Sequence, residues 1–146
     1  MKRFNIRVYG ICINERDEVL LSDESYRDLS FTKFPGGGLE FGEGTIDCLK
    51  REFLEEFNLE IEVAELFYLT DFFQVSAFSE HDQVVSIYYL IRADLDKIDY
   101  LIRNHLGAET LHWVNLSELS EELLTFPIDK VVTRRLISGK RSGFPD

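Results

Sequence analysis

Three glutamates at helical spacing are the most chemically suggestive feature of this chain. Glu52, Glu55 and Glu56 stand at positions i, i+3 and i+4, and a rotation of about 100° per residue places all three on one face of a helix. Like charges at this spacing repel one another. Grouped carboxylate oxygens are ligands that Mg²⁺ and Mn²⁺ bind, together with substrate phosphates. A solvated acidic face accounts for the same spacing, and on spacing alone both interpretations stay open.

A run of glycines, Gly36, Gly37 and Gly38, follows Pro35 shortly before the glutamates. Glycine adopts backbone conformations that other residues resist, and it lets a ligand approach the main chain closely. Taken alone, the run is explained most simply by a tight turn.

The glycines and glutamates together resemble the Nudix box. Its pattern is Gly, five residues, Glu, seven residues, then Arg-Glu-apolar-x-Glu-Glu-x-Gly-apolar; the chain has Gly37, Glu43 and the segment 51–59 in that register. The last glycine is replaced by Asn58, which tolerates the left-handed conformation that ends a helix. The resemblance extends from about residue 6 to residue 136, through the segments 34–43 and 113–119.

This resemblance implies an α/β fold, the Nudix-type α/β/α sandwich with a mixed β-sheet. It also implies divalent-metal-dependent hydrolysis of a nucleoside diphosphate linked to a further group X, by attack of water at a phosphorus of the diphosphate. Mg²⁺, or Mn²⁺, is the implied cofactor. The implied metal-binding residues are Gly36, Gly37, Glu52, Glu55 and Glu56.

Supporting and catalytic roles follow from the same resemblance. Glu43 and Arg51 would hold the ligand helix against the glycine loop. The general base would be one of the three box glutamates or Glu109 from a later loop, with Glu80 or Asp82 as second candidates.

The resemblance implies a small nucleoside diphosphate derivative as the substrate, and we expect nucleoside triphosphates first and nucleotide sugars next. Lys33 and Arg7 are candidates for phosphate contacts, and aromatic side chains are candidates for stacking on a nucleobase. These aromatic residues are Phe72, Phe73, Phe78 and Tyr88. Two other functions use the same scaffold: a non-catalytic module that senses a nucleotide or an ADP-ribose derivative, and isopentenyl diphosphate isomerisation. The intact glutamates disfavour the first, and the lack of an evident cysteine with base partners disfavours the second.

The elements that must position these residues can be read from the pattern. Thr45–Phe57 is predicted to be a helix capped by Thr45, with Ile46 on its apolar stripe. A hairpin is predicted from residues 4–13 and 18–21, followed by a loop at 22–29 and a short strand at 31–34. Further strands are predicted at 61–75, 84–95 and 110–116, and helices at 116–124 and 128–137.

The composition and net charge of the chain disfavour nucleic acids and membranes as partners. The 146 residues predict one domain, residues 1–146, with a tail at 138–146. A net charge of −11 opposes binding to nucleic acid polymers or anionic membranes, although −4 of it lies between Gly37 and Leu59. No apolar run approaches the roughly 20 residues of a membrane helix. Two isolated cysteines, Cys12 and Cys48, favour a reducing compartment, so we expect a cytoplasmic protein. The sequence leaves the oligomeric state open, with a homodimer as one candidate.

Overall fold

Two sheets and three α-helices form the part of the chain that the computed structural model describes, residues 1–105 and 110–139. The first sheet has the strand order β4-β1-β6-β5 and is mixed, because β1 pairs with β6 in parallel while the other pairs are antiparallel. The second is antiparallel, in the order β3-β2-β7. The strands are β1 (Arg3–Ile11), β2 (Glu18–Tyr26), β3 (Leu29–Lys33), β4 (Gly36–Gly38), β5 (Ile61–Leu69), β6 (Asp82–Ala93) and β7 (Thr110–Asn115), and the helices are α1 (Thr45–Phe57), α2 (Leu95–Asn104) and α3 (Pro127–Gly139).

Alternation along the strands divides the interior into two layers. In β1, Val8 packs with α1 and α2, whereas its neighbours Tyr9 and Ile11 pack with α3. Successive side chains of a strand point to opposite faces, so helices cover both faces of the sheet region. The predicted α/β fold with a mixed sheet is therefore confirmed. None of the described helices is both long and apolar enough to cross a membrane.

Helix α1 has the predicted bounds, and Leu49, Phe53 and Phe57 are buried on its apolar side. Ile46, in the first turn, is instead 42% exposed. The predicted cap at Thr45 is wrong: the helix begins there, Gly44 is the capping residue, and the Thr45 hydroxyl lies 2.7 Å from the Tyr89 hydroxyl.

Several other predictions of elements are corrected. Residues 4–13 and 18–21 do not form a regular hairpin, because β1 and β2 belong to different sheets. Pairing is limited to the segment just beyond β1: a bridge between Ile13 and Val19, flanked by backbone hydrogen bonds at residues 12–14 and 18–20. The buried, apolar run at the end of β1 is typical of a central strand covered on both faces. The segment 22–29 is not a loop, since β2 continues to Tyr26 and pairs with β3.

The second half of the chain also differs from expectation. The strand predicted at 61–75 ends at Leu69, and the helix predicted at 116–124 is only a 3₁₀ turn at Glu121–Leu123. Helix α2 is absent from the predicted elements. Its capping residue is Asp94, whose side chain accepts hydrogen bonds from the backbone N–H groups of Asp96 and Lys97. The predicted tail overlaps the end of α3 at residues 138–139.

Candidate active site

The glycine strand lies directly against the glutamate face of α1. In β4, Gly37 pairs with Val8 of β1, and a Cβ atom at Gly37 would overlap the Glu52 carboxylate. Any other residue at position 37 would displace that carboxylate. The structure thus brings one predicted metal-binding glutamate and one predicted glycine into contact, with no side chain between them.

Arg51 organises the carboxylates around this contact. Its Nε and Nη2 donate to the two Glu43 carboxylate oxygens at 2.9 and 2.7 Å, and Nη2 also donates to the Gly38 carbonyl at 3.0 Å. Its Nη1 donates to Glu52 at 3.1 Å and to Glu55 at 3.2 Å. The guanidinium therefore joins α1 to the loop that precedes it and to β4.

These contacts shift the protonation of the pair. The bidentate hydrogen bond from Arg51, followed by the backbone N–H of Glu40, lowers the pKa of Glu43 from 4.5 to about 2. The Glu43 hydrogen bond in turn raises the pKa of Arg51. Both groups are consequently charged across the physiological range.

The three box glutamates differ in exposure. The Glu52 side chain is 15% exposed and that of Glu55 is 60% exposed, while Glu56 is half-buried. Among residues 1–105 and 110–139, no three His, Cys, Asp or Glu side chains converge as a ready-made metal cage. Arg51 occupies the space between Glu43, Glu52 and Glu55. Mg²⁺ sites commonly use one or two carboxylates plus substrate phosphates instead of an all-protein cage.

A separate cavity of about 140 Å³, which we call the aromatic cavity, lies between the two sheets. Its aromatic side is formed by Phe31, Phe78 and Phe126, whose ring centroids lie 5.1 to 5.8 Å apart. Three charged residues also line it: Arg7, Glu24 and Lys33.

The charged residues of this cavity are held by an ion pair and by hydrogen bonds. Lys33 is only 4% exposed, and its Nζ lies 2.8 Å from a Glu24 carboxylate oxygen and 3.2 Å from the Phe34 carbonyl oxygen. Nζ also lies 5.5 Å from the centre of the Tyr9 ring. Arg7 donates to the Tyr9 hydroxyl at 2.9 Å. The two predicted phosphate-binding cations thus share one cavity, which contains both aromatic faces and hydrogen-bond donors.

The remaining predicted residues fall elsewhere. Tyr88 is 1% exposed in the core, so its predicted stacking on a base is wrong: its ring already packs against Tyr9, Phe34 and Tyr68. Phe72 is 40% exposed but does not line the aromatic cavity, whereas Phe78 does.

The late candidates for the general base are not found beside the box glutamates in the described part of the chain. Glu109 lies outside the described residues. Asp82 pairs with Arg3 at 3.2 Å and Glu80 lies 3.9 Å from His81; both line a different cavity, at the start of β1.

Three residues of the aromatic cavity were missed by sequence reasoning. Glu24 was missed because residues 22–29 were interpreted as a loop, whereas residues 22–26 continue β2 and pair with β3. Phe31 was seen only as part of a strand, and Phe126 precedes Pro127 without a distinguishing pattern.

Comparison with known proteins agrees with the α/β fold. A family model described as the NUDIX domain matches residues 3–136. The fold is similar to the solution structure of the E. coli ORF135 protein, with a TM-score of 0.72, 16% identity, and coverage of 99% of this chain and 96% of that one. A MutT protein from Methanosarcina mazei matches with a TM-score of 0.68 and 20% identity, over 97% of this chain and 96% of that one. A NUDIX hydrolase from Nitrosomonas europaea matches with a TM-score of 0.67 and 20% identity, over 98% of this chain and 75% of that one. No curated protein matches the chain.

Proposed function

The chain belongs to the Nudix family and is a Nudix pyrophosphohydrolase, and we propose that its substrate is a nucleoside diphosphate linked to a further group, with nucleoside triphosphates preferred over nucleotide sugars. The observation that carries this proposal is the contact of Glu52 with Gly37, held by Arg51. Arg51 donates both to the Glu52 carboxylate and to the Gly38 carbonyl, so a carboxylate of α1 and a main-chain oxygen of β4 share one guanidinium. Such a site is suited to positioning a diphosphate.

Mg²⁺ or Mn²⁺ fits these donors. The oxygens available are the carboxylates of Glu52, Glu55 and Glu56 and a carbonyl of Gly36 or Gly37, all of the hard type that these cations select. When bound, the cation would offset the charge of the diphosphate and acidify a water molecule.

The chain's own residues would then have distinct tasks. Arg51 keeps Glu52 and Glu55 oriented while Glu43 anchors its guanidinium. One of the box glutamates, or Glu109, would accept the proton of the attacking water.

The cavity at Phe31, Phe78 and Phe126 would receive the nucleoside. Aromatic edges and faces suit a flat base, and Arg7 and Lys33 offer donors to its oxygens or to a phosphate. A volume of about 140 Å³ fits a ring system better than an entire nucleotide, so the phosphates would extend out of the cavity.

The decisive experiment measures hydrolysis of nucleoside triphosphates, ADP-ribose, nucleotide sugars and dinucleoside polyphosphates with Mg²⁺ or Mn²⁺. Glu55→Gln and Glu56→Gln should each lower metal-dependent turnover at least about tenfold. Glu60→Gln, an exposed acid just beyond α1, is the matched control and should retain it. Turnover within a few-fold of wild type in both box variants contradicts the assignment. Nucleotide binding without turnover on any substrate would indicate the sensing module instead.

Cytoplasmic location, a single domain over residues 1–146 and a homodimer stay predictions from the sequence.

A further inference from the structure

Asp129 is a buried carboxylate that the proposed reaction does not use. It lies in the first turn of α3 and is 2% exposed. One of its oxygens accepts a hydrogen bond from the Tyr88 hydroxyl of β6, and the backbone of Phe34 also hydrogen-bonds to it. A carboxylate so far from water needs compensating partners.

The compensating charges are those of the aromatic cavity. Lys33 and Arg7 both favour ionised Asp129 electrostatically. Tyr9, which lines the cavity, packs against the Tyr88 ring with centroids 5.1 Å apart. Asp129 therefore lies behind the cavity floor, one layer of side chains away.

The charged and titratable groups around Asp129 come from several elements. Arg7 lies on β1, Lys33 on β3 and Tyr88 on β6. Lys33 is itself paired with Glu24 of β2, and Arg7 also interacts electrostatically with Glu52 of α1. Protonation of Asp129 therefore makes the floor of the cavity, which Arg7, Glu24 and Lys33 form, more positive by one unit of charge.

We propose that Asp129 is a positioning residue for ligand affinity, acting through Lys33 and Arg7 by setting the net charge of the cavity floor. The inference rests on the proposed nucleoside-binding role of the cavity. Phosphates and base carbonyls are acceptors, so a more positive floor binds them more tightly. Burial raises the pKa of Asp129 to about 6, against the opposing hydrogen bond from Tyr88, which places the change within an accessible pH range.

The test is calorimetric titration of wild type and Asp129→Asn with AMP, GMP, CMP and UMP, from pH 5 to pH 8, in buffer containing EDTA. The variant is nearly isosteric and lacks the charge. Its affinity should exceed that of wild type by roughly three- to tenfold at pH 8 and should equal it at pH 5, where wild-type Asp129 is protonated. Taking the ratio of the two proteins cancels the second ionisation of the ligand phosphate, which also lies at a pKa of about 6.

Two further variants separate charge from structure. Glu122→Gln removes an exposed charge and should leave the affinity ratio to wild type flat with pH. Tyr88→Phe removes the hydroxyl that stabilises ionised Asp129 but keeps the ring, so the midpoint of its binding profile should move to higher pH. This second variant tests the proposal even where Asp129→Asn fails to fold.

Four results would overturn the inference: a ratio independent of pH, weaker binding by Asp129→Asn at pH 8, an unmoved midpoint in Tyr88→Phe, or no binding of any monophosphate to wild type. Hydrolysis of triphosphates together with one of these results leaves the proposed function standing. The expected pH dependence of binding, found without hydrolysis of any substrate, would support the inference and contradict the proposed function.

Discussion

Glu43 and Asp129 are both carboxylates near cations, yet their pKa values shift in opposite directions. Glu43 receives two hydrogen bonds from Arg51, and its pKa falls to about 2. Asp129 accepts from Tyr88 and is near Lys33, but burial outweighs these contacts and raises its pKa to about 6. The comparison shows that an adjacent cation does not decide protonation: direct charge-assisted hydrogen bonds stabilise the anion at Glu43, whereas desolvation dominates at Asp129.

The two regions are accordingly built for different tasks. The region around Arg51 holds charged oxygens in a hydrogen-bonded network that borders solvent. The region around Asp129 places a buried carboxylate behind the cations of a partly open cavity, where a change of one proton alters the local field strongly.

The largest effect should come from removing the centre of the first region. Arg51→Ala would release Glu43, Glu52 and Glu55 together, and we expect hydrolytic turnover to fall about 10- to 100-fold, the range typical of residues that orient metal-binding groups. Arg51→Lys keeps the charge but cannot form the bidentate contact, so its turnover should exceed that of Arg51→Ala only slightly. Steady-state kinetics on the best substrate at saturating Mg²⁺ measures this. Full activity in Arg51→Lys would show that charge alone matters.

Gly37→Ala should have the next largest effect. The added Cβ would overlap the Glu52 carboxylate. This carboxylate is the end of a flexible side chain and can turn away, so the free energy of unfolding should change little while the carboxylate is displaced. Turnover should fall because Glu52 is displaced. Gly38→Ala is the matched control, since its Cβ would come no closer than 3.4 Å to Arg7. Equal losses of turnover in the two variants, both shown by chemical denaturation to be stable, would contradict the close contact at position 37.

Sequence reasoning captured the first region far better than the second. The residues of the first region lie between Gly37 and Glu56, so their relation depends on one strand, one helix and the spacing between them. That spacing survives in the structure almost unchanged: α1 has the predicted bounds, and Asn58 ends it in the left-handed conformation at φ 51°.

The second region could not be assembled in the same way. Arg7, Glu24, Lys33, Tyr88 and Asp129 come from five different elements, and their proximity depends on the order of strands in two sheets. The predicted hairpin put β1 and β2 side by side, whereas β1 pairs with β6 across about 80 residues of sequence. Local patterns carry no information about such pairing, so Tyr88 was interpreted as a candidate for stacking on a base and Asp129 was not singled out.

Asp129 should also change how stability depends on pH. Its folded-state pKa of about 6 lies above the ordinary 3.8, so the folded protein binds the proton more tightly, and this contribution to stability is lost as the pH rises from about 4 to 6. Asp129→Asn should therefore gain stability relative to wild type over that interval, by on the order of 2 kcal/mol. Urea denaturation at pH 4 and pH 7 measures the difference, and an unchanged difference would mean that burial does not dominate at Asp129.

Glu43 should show the opposite and smaller dependence. Its pKa is lowered from 4.5 to about 2, so its contribution to stability is complete above pH 4.5 and is lost as the pH falls towards 2. Because the Glu43 side chain is 16% exposed and the Arg51 network borders solvent, salt should weaken the effect. Glu43→Gln should be destabilised relative to wild type at pH 6, and the two should converge near pH 2. Thermal unfolding at low and high salt tests this, with the exposed Glu60→Gln as the control. A difference between Glu43→Gln and wild type that stays constant down to pH 2 would show that Glu43 supports Arg51 through its shape and packing, because a neutral carboxylic acid would then serve as well as a carboxylate.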